Sequence, residues 1–458
     1  MHDFIIVGSG SSGGVLAKNL HDAGAKVLLI EAGKFFRKDT FPETEAEYSS
    51  RLFWGGGLEF DSVSKTAFLR AKCVGGTTIV NQCLMGRFDD IAFNDWKAQT
   101  GIDFMSKEAM APYYEKVEQE MVLYTFEKGD LNRNAELFTQ NCDKLGYKWK
   151  FLRRGQTDCN IKEVDCIGCL GGCPRDSKQS ALVVYIQKAE QKGLEILSGF
   201  MVDSIQHHND HVVIQGEKNM IKQEFKCKKV ILAGGSFGTT QIMFKSGFGS
   251  KLPALGKGFC QHPQYMSFGI FDEPVNSHKG AFQTIASNDP NFRKKGFKLE
   301  NVFAPPISTG MLFNCFGRQH QELMMRYRYM MCIEAAVRDE PAGGEITIDK
   351  RGNLIVNKEL TAQDMRRRDA GIEAITNILS TAGAKEIVHS PYFFGLHLMG
   401  GCSIGTDGSS SVVNPQFQVH GLKNIYIADS SIFPGAPGIN PSLSIIAFSQ
   451  KLSEELVK

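Results

Sequence analysis

The sequence predicts an α/β protein: a nucleotide-binding sheet that the chain visits three times, interrupted by an inserted unit of antiparallel sheet with covering helices. Three observations predict it. The chain opens on an apolar strand, a glycine-rich turn, a helix and a second apolar strand. Its centre changes texture, to a hairpin and an amphipathic helix. Its last stretch returns to a short strand and a small-residue apolar helix.

Phe4-Ile5-Ile6-Val7 reads as the first strand and runs into Gly8-Ser9-Gly10-Ser11-Ser12-Gly13. In this Rossmann-like pattern Gly8 permits the tight turn, Gly10 lets backbone approach a pyrophosphate, and Gly13 lets the helix pack close to the strand. The helix, about Ser12 to Ala23, points free N–H groups and the positive end of its dipole at the phosphates. Gly24 stops it, and Lys26 to Ile30 forms the second strand, ending at Glu31. An acid at that position accepts ribose hydroxyls and repels a 2′-phosphate, which argues against NADP and leaves FAD or NAD. The glycines alone are a weak signal; strand, helix, second strand and terminal acid together are a strong one.

A chain of 458 residues can hold two substantial cores. Hydrophobic content of 42% with 22% charged residues fits a globular protein, and a net charge of +2 gives no electrostatic case for nucleic acid or an anionic membrane. No apolar run is long enough to span a bilayer. The first strand begins at residue 3, so no leader is expected before it, and a cytoplasmic location follows unless a partner carries the export signal.

Residues 42 to 71 read as irregular. Cys73-Val74-Gly75-Gly76-Thr77-Thr78-Ile79-Val80-Asn81 suits a loop whose backbone and hydroxyls crowd a ligand, although an ordinary glycine-rich turn has the same composition. Phe200 to Gln206, Val212 to Gln215 and Lys229 to Ala233 read as strands. The last runs into Gly234-Gly235 and a helix starting near Thr239, a second visit to the nucleotide-binding sheet. Ile346 to Ile348 and Asn353 to Val356 flank Asp349-Lys350-Arg351-Gly352 as a hairpin. Thr361 with Asp364 caps a helix whose apolar face is Ile372, Ile375, Ile378 and Leu379, ended by Gly383. Met324, Met325, Met330 and Met331 could line an apolar pocket, but core packing is the commoner use of such residues.

The C-terminal stretch carries the site plan. His397-Leu398-Met399-Gly400-Gly401-Cys402 is followed by Ile425-Tyr426-Ile427-Ala428-Asp429-Ser430-Ser431, then by Gly438-Ile439-Asn440-Pro441 at the start of a helix. A lone histidine before a glycine turn is more often a core residue. Behind a dinucleotide fingerprint, with a strand ending in an acid and an Asn-Pro helix start, it becomes a candidate catalytic group.

Taken in order, Gly8 to Gly13 with Glu31, Gly75 to Asn81, Gly234 to Gly247, and His397 to Asn440 resemble the glucose–methanol–choline (GMC) oxidoreductase family of FAD-dependent alcohol and sugar oxidases and dehydrogenases. The resemblance spans nearly the whole chain and is weakest over the inserted unit. It implies a discontinuous FAD-binding domain in residues 1–95, 175–263 and 395–458. It also implies a cap segment in 96–174 and an antiparallel-sheet-plus-helices substrate domain in 264–394. Gly256 to Pro263 resembles the family's segment entering that domain, with Gln261 where an acid is usual, so Gln261 is given no role. By resemblance His397 falls on the catalytic histidine, Asn440 on its partner, and Asp429 on the strand end facing the flavin. Gly8, Gly10, Ser11, Gly13, Glu31, Gly75, Gly76, Thr77, Asn81, Val202 and Gly234 complete the expected cofactor contacts. No histidine lies between His21 and His207, so the histidine that carries a covalent flavin in some members is missing and non-covalent FAD is expected.

The residue types suit hydride removal from a carbinol. A neutral imidazole at His397 takes the hydroxyl proton near physiological pH, and the Asn440 amide orients the hydroxyl without adding charge. The expected partners are a small alcohol, sugar or sterol-like substrate and an electron acceptor, whether oxygen, quinone or a protein carrier. The alternative is a flavin electron-transfer subunit of a dehydrogenase complex.

Twelve cysteines are many for a reducing compartment, and four cluster as Cys159, Cys166, Cys169 and Cys173. The end, Cys-x2-Cys-x3-Cys-Pro, matches the tail of a ferredoxin ligand run, but the first spacing does not. An iron–sulfur cluster passing electrons outward, a structural zinc, and a glycine-rich loop of reduced thiols or a local disulfide all stay open, the last carrying most weight.

Overall fold

The computed structural model describes residues 1–159 and 166–458, with the side chains of residues 166 and 167 left aside. Two large sheets organise it. The first has seven strands, in spatial order Glu195–Ser198, Val27–Glu31, His2–Val7, Ile221–Leu232, Val212–Lys218 and Met201–His207, with Ile425–Ile427 also on Ile221–Leu232. The pairs among the first four strands, and that with Ile425–Ile427, are parallel. The twelve-residue strand Ile221–Leu232 is shared along its length. Its first half pairs antiparallel with Val212–Lys218 and its end pairs parallel with Ile425–Ile427.

His2–Val7, the helix Ser11–Asp22 and Val27–Glu31 form the expected βαβ unit. Ile5, Ile6, Leu29 and Ile30 are fully buried, because a parallel sheet is covered on both faces. The helix expected near Thr239 starts earlier, at Gly235, and runs to Lys245. The C-terminal helix Ser442–Val457 packs along Ser11–Asp22, with Leu443, Ala447, Phe448 and Leu452 buried.

The second sheet has eight strands, in order Glu59–Phe60, Ala67–Phe68, Glu386–Met399, Cys260–Ile270, Met330–Val337, Phe297–Asn301, Ile285–Ser287 and Trp149–Phe151. The helix Ala362–Thr381 covers one face and buries Ala374, Ile375, Ile378 and Leu379, while Ile372 stays half-buried. Its capping box, Thr361 with Asp364, is formed in both directions. Met330 and Met331 are core residues, Met324 is half-buried and Met325 is exposed, and none of the four lines the large cavity between the sheets.

One local expectation is corrected. Residues 42–71 are not irregular: they hold the helix Glu45–Leu52, started by a capping box of Thr44 and Glu47, and two short strands on the edge of the second sheet. The hairpin expected around Asp349–Gly352 is formed, by Gly344–Ile348 and Leu354–Lys358, as a two-stranded sheet of its own. Among the described residues no helix is long and apolar enough to cross a membrane.

Candidate active site

A cavity of about 680 Å³ runs between the first sheet and the second. One end is the glycine cradle. Gly8 has φ +103°, and a Cβ on it would lie 2.3 Å from Ala233 O; a Cβ on Gly13 would lie 1.8 Å from Gly8 O. Those two glycines let strand, turn and helix touch. Gly10 differs: a Cβ there would meet nothing within 4 Å, because its open side is the cavity. Gly10 also starts the Ser11–Asp22 helix with no side-chain cap, so the first N–H groups are left for an anion.

Glu31 closes the same end. Its Oε2 accepts from Ser9 N at 3.0 Å and Ser9 Oγ at 2.7 Å, and its Oε1 accepts from Gly33 N at 2.8 Å. Burial pushes its carboxyl above the usual range while these bonds pull it back. Ser9 Oγ also accepts from Gly75 N at 3.0 Å, which ties the 75–81 loop to the first turn.

Asp429 sits where the strand ends. Its Oδ2 accepts from Gly235 N at 2.8 Å and Thr239 Oγ1 at 2.5 Å, and its Oδ1 accepts from Ser431 N at 2.8 Å. It joins two nucleotide-sheet returns while lining the cavity. Of the residues named from sequence, Gly8, Gly10, Ser11, Glu31, Gly76, Thr77, Asn81, Val202, Gly234, Asp429, His397 and Asn440 all line this one space. Gly13 and Gly75 stand behind it and shape it.

His397 is aimed by a bulge. Cys260 pairs with Met399 and His262 with Leu396, so Gln261 alone opposes both His397 and Leu398. His397 takes the left-handed φ of 57°, which a non-glycine residue holds only where its surroundings impose it. The bulge brings His397 against His262, Nδ1 to Nδ1 at 2.9 Å. His262 Nε2 in turn accepts from Gly438 N at 2.8 Å. Since the Gly438 amide can only donate, His262 carries its proton on Nδ1 and donates it to His397 Nδ1. The proton of a neutral His397 is then on Nε2, the nitrogen left to the cavity. Burial first, then the charge on Lys298, push His397 down to about 3, and burial with His397 and nearby cations holds His262 well below its ordinary value.

Asn440 reaches the same wall from the turn before the last helix. Arg293 and Arg338 fix that turn. Arg293 donates to Pro437 O at 2.7 Å while forking onto Asp89, and Arg338 donates to Ala436 O at 2.7 Å. The remaining wall is mostly apolar, with Met266, Phe282, Val302, Phe303, Leu312 and Phe394. Gln264, Gln283 and Glu334 add polar atoms to it.

Sequence reading assigned no role to His262, Ser9, Lys298 or Glu334. His262 lay in a motif that was recognised, so its pairing was the findable one. Lys298 and Glu300 alternate with Phe297 and Leu299 along the strand Phe297–Asn301, and that spacing alone does not set them apart from a strand's solvent-facing charges.

Two family models match the chain, both described as GMC oxidoreductase, over residues 3–264 and 340–449. The chain belongs to the GMC oxidoreductase family. It is 24% identical to an uncharacterized GMC-type oxidoreductase of Mycobacterium tuberculosis, over 99% of this chain and 76% of that protein. It is also 24% identical to a long-chain-alcohol oxidase of Arabidopsis thaliana, over 97% of this chain and 66% of that one. Among solved structures, pyridoxine 4-oxidase from Mesorbium loti superposes with a TM-score of 0.79 at 14% identity, covering 99% of both chains. Members of the GMC family are FAD-dependent oxidoreductases acting on alcohol or sugar CH–OH groups, oxidases and dehydrogenases both. The glycine cradle fits that cofactor: the space left at Gly10, the uncapped helix start and Glu31 match a phosphate and a ribose.

The described part of the cysteine cluster offers no set of ligands for a metal. Among the described residues no group of three or more His, Cys, Asp or Glu is placed to hold one. Cys169 and Cys173 instead face each other: a hydrogen bond from Cys169 holds the Cys173 thiol down to about 5. Lys178 Nζ donates to Cys169 O and to Ile79 O, each at 2.6 Å, fastening this loop to the 75–81 loop. The Cys166 side chain lies outside the described residues.

Proposed function

We propose that this GMC enzyme binds FAD non-covalently and oxidises the carbinol carbon of an apolar alcohol, with His397 receiving the hydroxyl proton. The observation that carries this reading is that His397 and Asn440, distant in sequence, share one wall of a cavity continuous with the glycine cradle. When bound, FAD supplies the hydride acceptor at N5. Asn440 and His397 grip the hydroxyl oxygen, and the apolar wall excludes water and takes the carbon body. A depressed pKa keeps His397 neutral at working pH, as proton acceptance requires.

The resting tautomer has a consequence. For His397 Nε2 to accept a proton, both rings must first change tautomer: His397 gives up its Nε2 proton and takes the shared one on Nδ1, and His262 gains a proton on Nε2 and so gives up its bond from Gly438. That bond is partly buried, with His262 itself almost fully so, and the switch costs about 1–3 kcal/mol.

Mixing the FAD-loaded protein anaerobically with 1-octanol and benzyl alcohol tests the reading. Bleaching of the flavin by either, and its loss in His397→Ala with FAD still bound, is the expected result. Bleaching by NADH alone, with no alcohol effective, sinks it.

A further inference from the structure

The wall shared by His397 and Asn440 has a cation behind it that does not line the cavity. Lys298 and Glu300 lie on the same face of the strand Phe297–Asn301, two residues apart. The Lys298 ammonium donates to Asn440 Oδ1, and to Glu300 Oε1 at 2.7 Å. An ammonium has no lone pair to offer, so the Asn440 atom that meets it is the carbonyl oxygen, and chemistry settles an amide orientation that shape alone leaves open. The Asn440 NH2 is therefore turned from Lys298 toward the cavity.

The same cation balances a buried acid pair. Glu300 stands opposite Glu334 in the strand register and accepts from Gln283 Nε2 at 2.9 Å. Glu300 is 1% and Glu334 2% exposed, too little for two bare carboxylates side by side. Burial and Glu300 hold the Glu334 carboxyl well above the usual range, so the pair keeps one proton and one negative charge, which Lys298 offsets.

We propose that Lys298 is a positioning residue of the alcohol-oxidising site: it locks the Asn440 amide with its NH2 toward the substrate oxygen, and it sets a positive charge behind that oxygen as its proton leaves. The inference rests on the alcohol reading above. A donor fixed before the reaction, backed by a cation, favours an oxygen that gains negative charge over one that stays neutral. The charged and titratable groups around this wall are His262 on Cys260–Ile270, Glu300 beside Lys298, Glu334 on Met330–Val337, and Lys150 on Trp149–Phe151, a second cation close enough to Lys298 and Glu300 to act on both. Arg293 and Arg338 lie beyond and act on His262.

The test uses Lys298→Met, with Lys298→Gln as the substitute should the apolar variant fold poorly, and Lys298→Arg as rescue. Two quantities are read. One is the limiting rate of anaerobic flavin reduction by 1-octanol or benzyl alcohol. The other is the titration midpoint of His397, followed by NMR of 15N-histidine protein without substrate.

In the neutral variants the limiting rate is expected to fall about 10²-fold while half-saturation moves less than about threefold, as for a lost oxyanion donor. The His397 midpoint is expected to rise by about one pH unit as the neighbouring cation disappears, and Lys298→Arg to restore both in large part. A rate within about threefold of wild type overturns the proposal. So does an unmoved His397 midpoint, whatever the rate, since a merely structural lysine would lower activity without moving it. If neither alcohol bleaches the wild-type flavin, the alcohol reading falls by itself and the titration still decides Lys298.

Discussion

His262 and His397 present the same ring nitrogen to each other, Nδ1 to Nδ1 at 2.9 Å, so a single proton lies between them and Gly438 decides whose it is. Nitrogen-15 spectra of labelled protein are expected to show His262 protonated at Nδ1 and His397 at Nε2 near neutral pH. His397 protonated at Nδ1 in the resting protein would contradict the assignment. Replacing His262 by Leu leaves the Gly438 N–H without its partner, and a loss of about 1–3 kcal/mol in folding stability is expected from urea unfolding.

Acid is expected to weaken the fold through these two rings. Both folded values lie below the ordinary histidine value of 6.5, so the unfolded chain binds protons that the folded one refuses. Their contribution is complete above that value and is lost as pH falls toward the folded ones. Between pH 7.5 and 5 each ring costs up to about 2 kcal/mol. Glu31, Glu334, Asp339 and Asp429, buried with raised values, act in the opposite direction, so the comparison is with a variant. His397→Gln should lose less urea resistance over this interval than wild type; an equal loss would remove His397 from the account.

Gly10 separates folding from binding. Its missing Cβ would touch no protein atom. Gly10→Ala is therefore expected to melt like wild type without cofactor and to bind FAD at least about tenfold more weakly by fluorescence titration, about 1.4 kcal/mol. An equal fall in cofactor-free melting temperature would mean that the turn, not the phosphate, needs the glycine.

Lys358 and Asp339 form an ion pair at 3.0 Å with both side chains fully buried, where Asp339 also accepts from Gln261 N at 2.9 Å. Burial pushes Asp339 up to about 7 despite the lysine. Lys358→Met strands that carboxyl and is expected to cost about 3–5 kcal/mol, whereas Lys358→Met with Asp339→Leu should recover most of it. Urea midpoints of the two variants check the ordering.

Cys173 should alkylate with iodoacetamide at pH 6.5 far faster than Cys73. The first thiol is pulled down to about 5 by its bond from Cys169, and the second is buried and pushed up. Cys169→Ser, whose hydroxyl can still donate, should keep much of that rate, and Cys169→Ala should lose it. Mass spectrometry of tryptic peptides reads both.

How much of this could be read from the letters follows from how local each cause is. The cradle was legible because Gly8, Gly10, Gly13 and Glu31 act within one βαβ unit. His397 and Asn440 were legible through the resemblance, since their meeting depends on a long path through the fold. Residues 42–71 were misread because their two short strands exist only as an edge of a distant sheet, although the Thr44 and Glu47 box stood in the sequence. The roles of His262 and Lys298 arise from facing partners 135 and 142 residues away, and no local pattern reports such a pairing.

The extra residue between Leu396 and Met399 also decides which changes this end of the strand Glu386–Met399 can absorb. Letters along it can vary as long as they fit, but its length cannot. Deleting Leu398 would make the ladder regular at this end, a local gain for the sheet, and would swing the imidazole to the far face. The enzyme would then be a better-made sheet with no chemistry. A one-residue deletion here, folded and still yellow with FAD yet inert toward every alcohol, would be the plainest expression of how activity and regularity compete at this one position.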